Sequence, residues 1–149
     1  MIQRIQSIFL LLASGSIFGQ FGLPYLQTPA NDPARTLPVL TDGIFNPLDN
    51  IGLLGLTMLA GLASLLAIFL FRNRSLQTRL TIGALLASGL LLALAGFTAY
   101  NTLASLPPGG SAQYQAGLAL PVLALLFQWL AGRSIRKDEQ LVRSMDRLR

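Results

Sequence analysis

Residues 80–132 read LTIGALLASGLLLALAGFTAYNTLASLPPGGSAQYQAGLALPVLALLFQWLAG and contain no Asp, Glu, Lys or Arg. A helix crosses the hydrocarbon core of a bilayer in about 20 residues, at a rise of about 1.5 Å each. The run is too long for one crossing and long enough for two. Pro107, Pro108, Gly109 and Gly110 divide it, because such residues mark a turn. One span is read over residues 80–100 and another over 116–132. Outward from there, two further charge-free stretches, 5–31 and 50–71, supply spans at 6–26 and 51–71.

Composition agrees with lipid as the solvent. The chain of 149 residues is 52% hydrophobic and 11% charged, with mean hydropathy +0.57; a soluble domain of this size carries about 25% charged residues. Lipid offers no partner to a bare backbone group, so the spans are expected to be helices. The alternating pattern of a membrane barrel is missing. The expected fold class is all-α: an integral membrane four-helix bundle forming a single domain over 1–149, with outer loops at 27–50 and 101–115, a link at 72–79 and a tail at 133–149. Cysteine and histidine are both absent. A disulfide framework, thiolate or imidazole metal ligands and a Ser-His-Asp triad are thereby excluded, and no cofactor or metal is expected.

Arg4 precedes the first span, Arg72, Arg74 and Arg79 occupy the link, and Arg133, Arg136, Lys137, Arg143, Arg147 and Arg149 follow the fourth span. Of the eleven basic residues only Arg35 lies on the other side, with Asp32, Asp42 and Asp49. The positive-inside rule makes the basic side cytoplasmic and places both termini there. Tyr25, Tyr100 and Tyr114 at the outer ends, and Trp129 near the inner end, suit the headgroup layers. The sequence pI of about 10.8 therefore reads as topology and contact with anionic lipid, not as nucleic-acid binding. A cleaved signal peptide is the rival reading of the N-terminus, with Ala13, Ser14 and Gly15 as its small-residue site; the apolar run continues to Leu26, which suits a retained span better.

The outer loop 27–50 carries Pro29, Pro33, Pro38 and Pro47, which disfavour regular helix; it is read as a connector rather than a ligand-binding lip. Pro121 in the fourth span is expected to remove a backbone hydrogen bond and kink the helix. The tail reads as a basic amphipathic cytoplasmic helix, with Leu141, Met145 and Leu148 on one face and Glu139 and Arg143 spaced for an ion pair. No span holds an ionisable side chain, which lowers proton relay, ion-coupled transport and voltage sensing. Gln20 and Gln128 are the most polar candidates inside the spans, each either a helix-to-helix hydrogen bond or a substrate contact. Gly15 with Gly19, Ala60 with Ser64, and Gly83 with Ala87 have the four-residue spacing of small residues that lets helices approach.

The start, MIQRIQS (residues 1–7), and the end, IRKDEQLVRSMDRLR (residues 135–149), resemble the termini of an uncharacterised bacterial family of four-span membrane proteins filed as a domain of unknown function. The resemblance implies placement in the bacterial inner membrane as a multi-pass protein. It carries no activity. It does imply that a shared role resides on the cytoplasmic face, in Arg4, Asp138, Glu139, Asp146 and Arg147. The expected function is a non-enzymatic accessory, assembly or scaffold subunit of a membrane complex, with a protein partner or a second copy of itself. The alternatives are an oligomeric carrier or channel for an uncharged or lipid-like solute, and a lipid-dependent enzyme using the outer-loop aspartates.

Overall fold

Two asparagines set where the central helices begin. The side chain of Asn50 accepts from the backbone N–H of Gly52 at 2.8 Å and of Leu53 at 3.3 Å, and Asn73 accepts from Leu76 at 3.2 Å. Each supplies a partner to amides that a helix leaves unpaired in its first turn. The computed structural model describes residues 2–146, and for residues 2–4, 139 and 142–146 the backbone alone. Its helices are α1 (Ile2–Gly19), α2 (Ile51–Phe69), α3 (Arg74–Ala104) and α4 (Ala119–Asp146). α1 packs on α2 and α4, and α3 packs on the same two. The helices therefore alternate up and down around a four-helix bundle, which brings the start of α1, the α2–α3 link and the end of α4 to one end.

Ile51–Phe69, Arg74–Ala104 and Ala116–Asp138 are long and apolar enough to cross a membrane, and the chain is a multi-pass membrane protein. The apolar part of α1, Ile5–Gly19, is shorter. α1 stops at Gly19, short of residue 26, and the chain turns through Gly22 before Pro24. α3, with 31 residues, is about 46 Å long and exceeds the ~30 Å hydrocarbon core.

Leu10, Ile17, Leu53 and Leu91 are buried in the bundle, but much of its interior is alanine and much of its exterior leucine. Ala60, Ala67, Ala95, Ala99, Ala124 and Ala131 are fully buried, whereas Leu59, Leu66, Leu86, Leu90 and Leu126 are exposed. That arrangement suits lipid, where leucine gains nothing by turning inward and small residues let backbones close up. Among the glycines within the α-helices the closest approach is at Gly61, where an added Cβ would stand 2.5 Å from the Phe18 ring. An added Cβ at Gly15 or Gly83 would meet nothing within 4 Å, and one at Gly19 would stand 3.5 Å from Leu120 Cδ1. Ala87 lies in the core. Pro121 falls in the first turn of α4, where its missing N–H has no helical partner to lose, so no kink is needed.

The two loops at the other end are not loose connectors. β1 (Leu26–Gln27) lies between β2 (Ile44–Phe45) and β3 (Gln113–Tyr114) in an antiparallel sheet. Short 3-10 turns at Pro33–Thr36, Pro38–Leu40 and Pro47–Asp49 use the prolines at their first positions. Tyr25, Leu26, Ala34, Leu40 and Phe45 are buried in this cap and continuous with the core of the bundle. The Tyr25 and Phe45 rings meet edge-on, with centroids 5.7 Å apart. Gly117, in the 3-10 turn Ala116–Leu118 before α4, packs on the Leu23–Pro24 backbone, where an added Cβ would come within 2.2 Å of the Leu23 carbonyl oxygen.

Candidate functional site

The polar side chains inside the bundle are placed by helix register. Gln128 on α4 is fully buried. Its Nε2 donates to Ser64 Oγ on α2 at 3.0 Å and to Ser88 Oγ on α3 at 2.9 Å, so one amide joins three helices. Its Oε1 has no partner among the described residues. Gln20, just past α1, accepts from the Tyr25 hydroxyl and fastens the end of that helix to the cap. Both glutamines, read from sequence as helix-to-helix bonds or substrate contacts, thus make hydrogen bonds within the chain, and Gln20 Nε2, like Gln128 Oε1, is buried without a partner among the described residues.

The outer-loop aspartates are engaged in the cap. Asp32 accepts from Ala34 N at 2.8 Å, from Ser111 N at 2.9 Å and from Ser111 Oγ at 2.6 Å, which stitches the first outer loop to the second. The Ser111 hydroxyl, then the Ala34 and Ser111 amides, hold its carboxyl below the usual carboxylate range. Asp49 accepts from Asn46 N at 2.7 Å in a reciprocal cap, and its partial burial pushes its carboxyl up. Asp42 accepts from Ile44 N at 3.2 Å. Among the described residues no group of acids is spaced to hold a metal.

The other end carries the basic residues and a polar cluster. Asp138 on α4 is buried, at 8% exposure, and accepts from the Gln6 side chain of α1. Gln77 of α3 donates to the Ala67 carbonyl of α2 at 3.0 Å. Arg74, Phe71 and Ile135 close the space around them, and Arg74 Nη1 is buried without a hydrogen-bond partner among the described residues. The two hydrogen bonds tie α1 to α4 and α3 to α2. The two terminal stretches that carry the family resemblance meet in the hydrogen bond between Gln6 and Asp138. Sequence reading singled out Asp138 but not Gln6 or Gln77. The signal was the single amide at position 6, where the first apolar run begins.

On the neighbouring face of α4 a groove of about 580 Å³ opens between α3 and α4. Thr81, Ile82 and Leu85 of α3 and Gln128, Trp129, Gly132, Arg133, Arg136, Lys137 and Gln140 of α4 line it; Thr81 and Gln128 are buried at its inner limit, and Arg133, Arg136 and Lys137 are exposed at its rim. The Arg133 guanidinium lies over the Trp129 ring, 5.7 Å from its centroid, within reach of a cation–π contact. Arg72 and Arg79 are exposed at the same end, outside this groove. α4 runs without a break into the tail as far as Asp146, and Leu141 on it is exposed. The side chains of Arg4, Glu139, Met145 and Asp146, with Arg147 and Leu148 entirely, lie outside the described residues.

No curated protein and no solved structure matches the chain. Residues 2–148 match the family described as Domain of unknown function (DUF4293). The match takes in both the buried Gln6–Asp138 contact and the basic groove, and by it the chain belongs to the DUF4293 family.

Proposed function

We propose that this protein is a non-enzymatic accessory, assembly or scaffold subunit of a membrane complex, and that its basic end is the docking face. In this reading it crosses a bacterial inner membrane four times, α1 included, with both termini cytoplasmic and the basic end at the anionic surface of that leaflet. The observation that carries the proposal is the use made of the interior polar groups. Gln128, Ser64, Ser88, Gln6, Asp138 and Gln77 bond helix to helix, while Arg72, Arg79, Arg133, Arg136 and Lys137 face outward at one end. A bundle locked from within, with an outward cationic surface, suits a rigid docking element. An oligomeric carrier would instead turn polar side chains toward a path.

Gentle extraction from native membranes, affinity purification and native mass measurement test this. The expected result is a stoichiometric, unrelated membrane partner, lost when Arg72 and Arg79 or Arg133 and Arg136 are changed to Gln. A symmetric homo-oligomer with no other partner would favour the carrier or channel reading and overturn the proposal.

A further inference from the structure

We propose that the groove between α3 and α4 at the basic end binds one anionic phospholipid. Its phosphate lies against Arg133, Arg136 and Lys137, and an acyl chain runs along Ile82, Leu85 and Trp129. Three observations lead there. The first is charge: the described residues lining the groove include three cations and no carboxylate. Asp138, next in sequence to Lys137, is turned away into its contact with Gln6.

The second is depth. From Arg136 on the rim to Gln128 at the inner limit is about 12 Å along the helix axis. That exceeds the headgroup layer of roughly 5–8 Å on each side of a bilayer, so the groove runs from that layer into hydrocarbon. A soluble anion fills only its upper part and an acidic peptide cannot follow it down; a phospholipid fills both. The third is size. At about 580 Å³ it falls within the range of small-molecule sites, roughly 300–1,000 Å³. A second copy of the chain is a poor occupant, because it would bring its own cations to the same rim.

The proposal rests on the chain lying in a membrane, not on its orientation or on the docking role above. Trp129 is the only tryptophan and lines the groove, so it reports occupancy directly. The full chain is reconstituted in vesicles that have the same composition in both leaflets. Their lipid is phosphatidylcholine with a minor fraction of either phosphatidylglycerol or phosphatidylcholine brominated on the acyl chains. The expected result is stronger Trp129 quenching by the brominated anionic lipid at equal mole fraction. Arg133→Gln with Arg136→Gln should reduce that preference by roughly fivefold for each cation removed. Arg72→Gln with Arg79→Gln removes the same charge from the same end, outside the groove, and should leave the preference intact. Gly132→Leu keeps every charge but grows into the groove, and should abolish it. Equal quenching by the two lipids in the unaltered protein would overturn the proposal. So would equal losses in the two arginine pairs, a preference that survives Gly132→Leu, or displacement of the quencher by inorganic phosphate.

Discussion

Gln128 separates the contribution of polarity from that of volume in this bundle. Replacing it with leucine removes the two donations to Ser64 and Ser88. Interhelical hydrogen bonds in membrane proteins average about 0.6 kcal/mol each, with a ceiling near 1.7 kcal/mol, so the direct loss is about 1 kcal/mol. Two effects reduce it. Ser64 already donates to the Ala60 carbonyl at 2.9 Å and keeps that bond. The substitution also removes Oε1, which is buried without a partner among the described residues, and an unsatisfied buried acceptor costs about 1–3 kcal/mol. Gln128→Leu is therefore expected to stay within about 1 kcal/mol of the original protein. Gln128→Ala loses the same hydrogen bonds and leaves a void among Ala124, Ala131 and the two serines. Large-to-small changes at buried sites cost about 2–5 kcal/mol, and the alanine variant is expected in that range. Reversible unfolding in mixed detergent micelles, followed by circular dichroism, measures both. A leucine variant as unstable as the alanine variant would refute the reasoning, because the amide and not its volume would then hold α2, α3 and α4 together.

Gly61→Ala pushes a methyl against the Phe18 ring and should cost about 1–3 kcal/mol as overpacking, while Gly83→Ala meets nothing and should gain about 0.5–1 kcal/mol from helix propensity; the same unfolding assay reads both, and a loss at Gly83 would indicate a contact beyond the single chain. In the cap, Asp32→Asn should speed amide exchange in 26–46 and 111–115 at neutral pH. Because the folded pKa of Asp32 is lowered, its contribution is full above the unfolded value of about 3.9 and lost as pH falls through the folded value, so the gap between original and variant should close in that acidic window. Asp49 has the opposite sign: its raised pKa makes the ionised form costly, and the cost is relieved as pH falls through that value. Finally, single cysteines in place of the exposed Tyr114 and Gln140 should label from opposite sides of the membrane in this cysteine-free chain; labelling of both from one side would overturn the proposed topology.

The helical bundle was legible because charge-free length is a one-dimensional quantity: residues 80–132 announce two helices and a turn without reference to anything else. The cap was not legible, because its information is pairwise. Leu26 and Gln27 are unremarkable until Ile44, Phe45, Gln113 and Tyr114 pair with them, and the prolines that argued against helix also start three short 3-10 turns. Small-residue spacing was informative at Ala60, Ser64 and Ala87, which are buried, and uninformative elsewhere for a related reason. The four-residue repeats at Gly15 and Gly83 say that a flat strip exists, not which way it faces, and both positions meet open space, whereas Gly61 outside such a repeat takes the closest contact of the α-helical glycines. Charge alone did not name the partner at the basic end. Asp138 in a tail otherwise suited to anionic lipid points to pairing with the tail or link arginines or with a partner protein; the structure instead gives it the neutral amide of Gln6 on α1, while Arg74 Nη1 has no hydrogen-bond partner among the described residues. What the sequence could not show is that burying Asp138 on one face of α4 leaves Arg133, Arg136 and Lys137 together on the next. That division follows from a 100° step per residue and from α1 lying against one side of α4 only. The acid therefore does not dilute the cationic surface: held against α1, it fixes the rotation of α4 and so determines which way the groove opens.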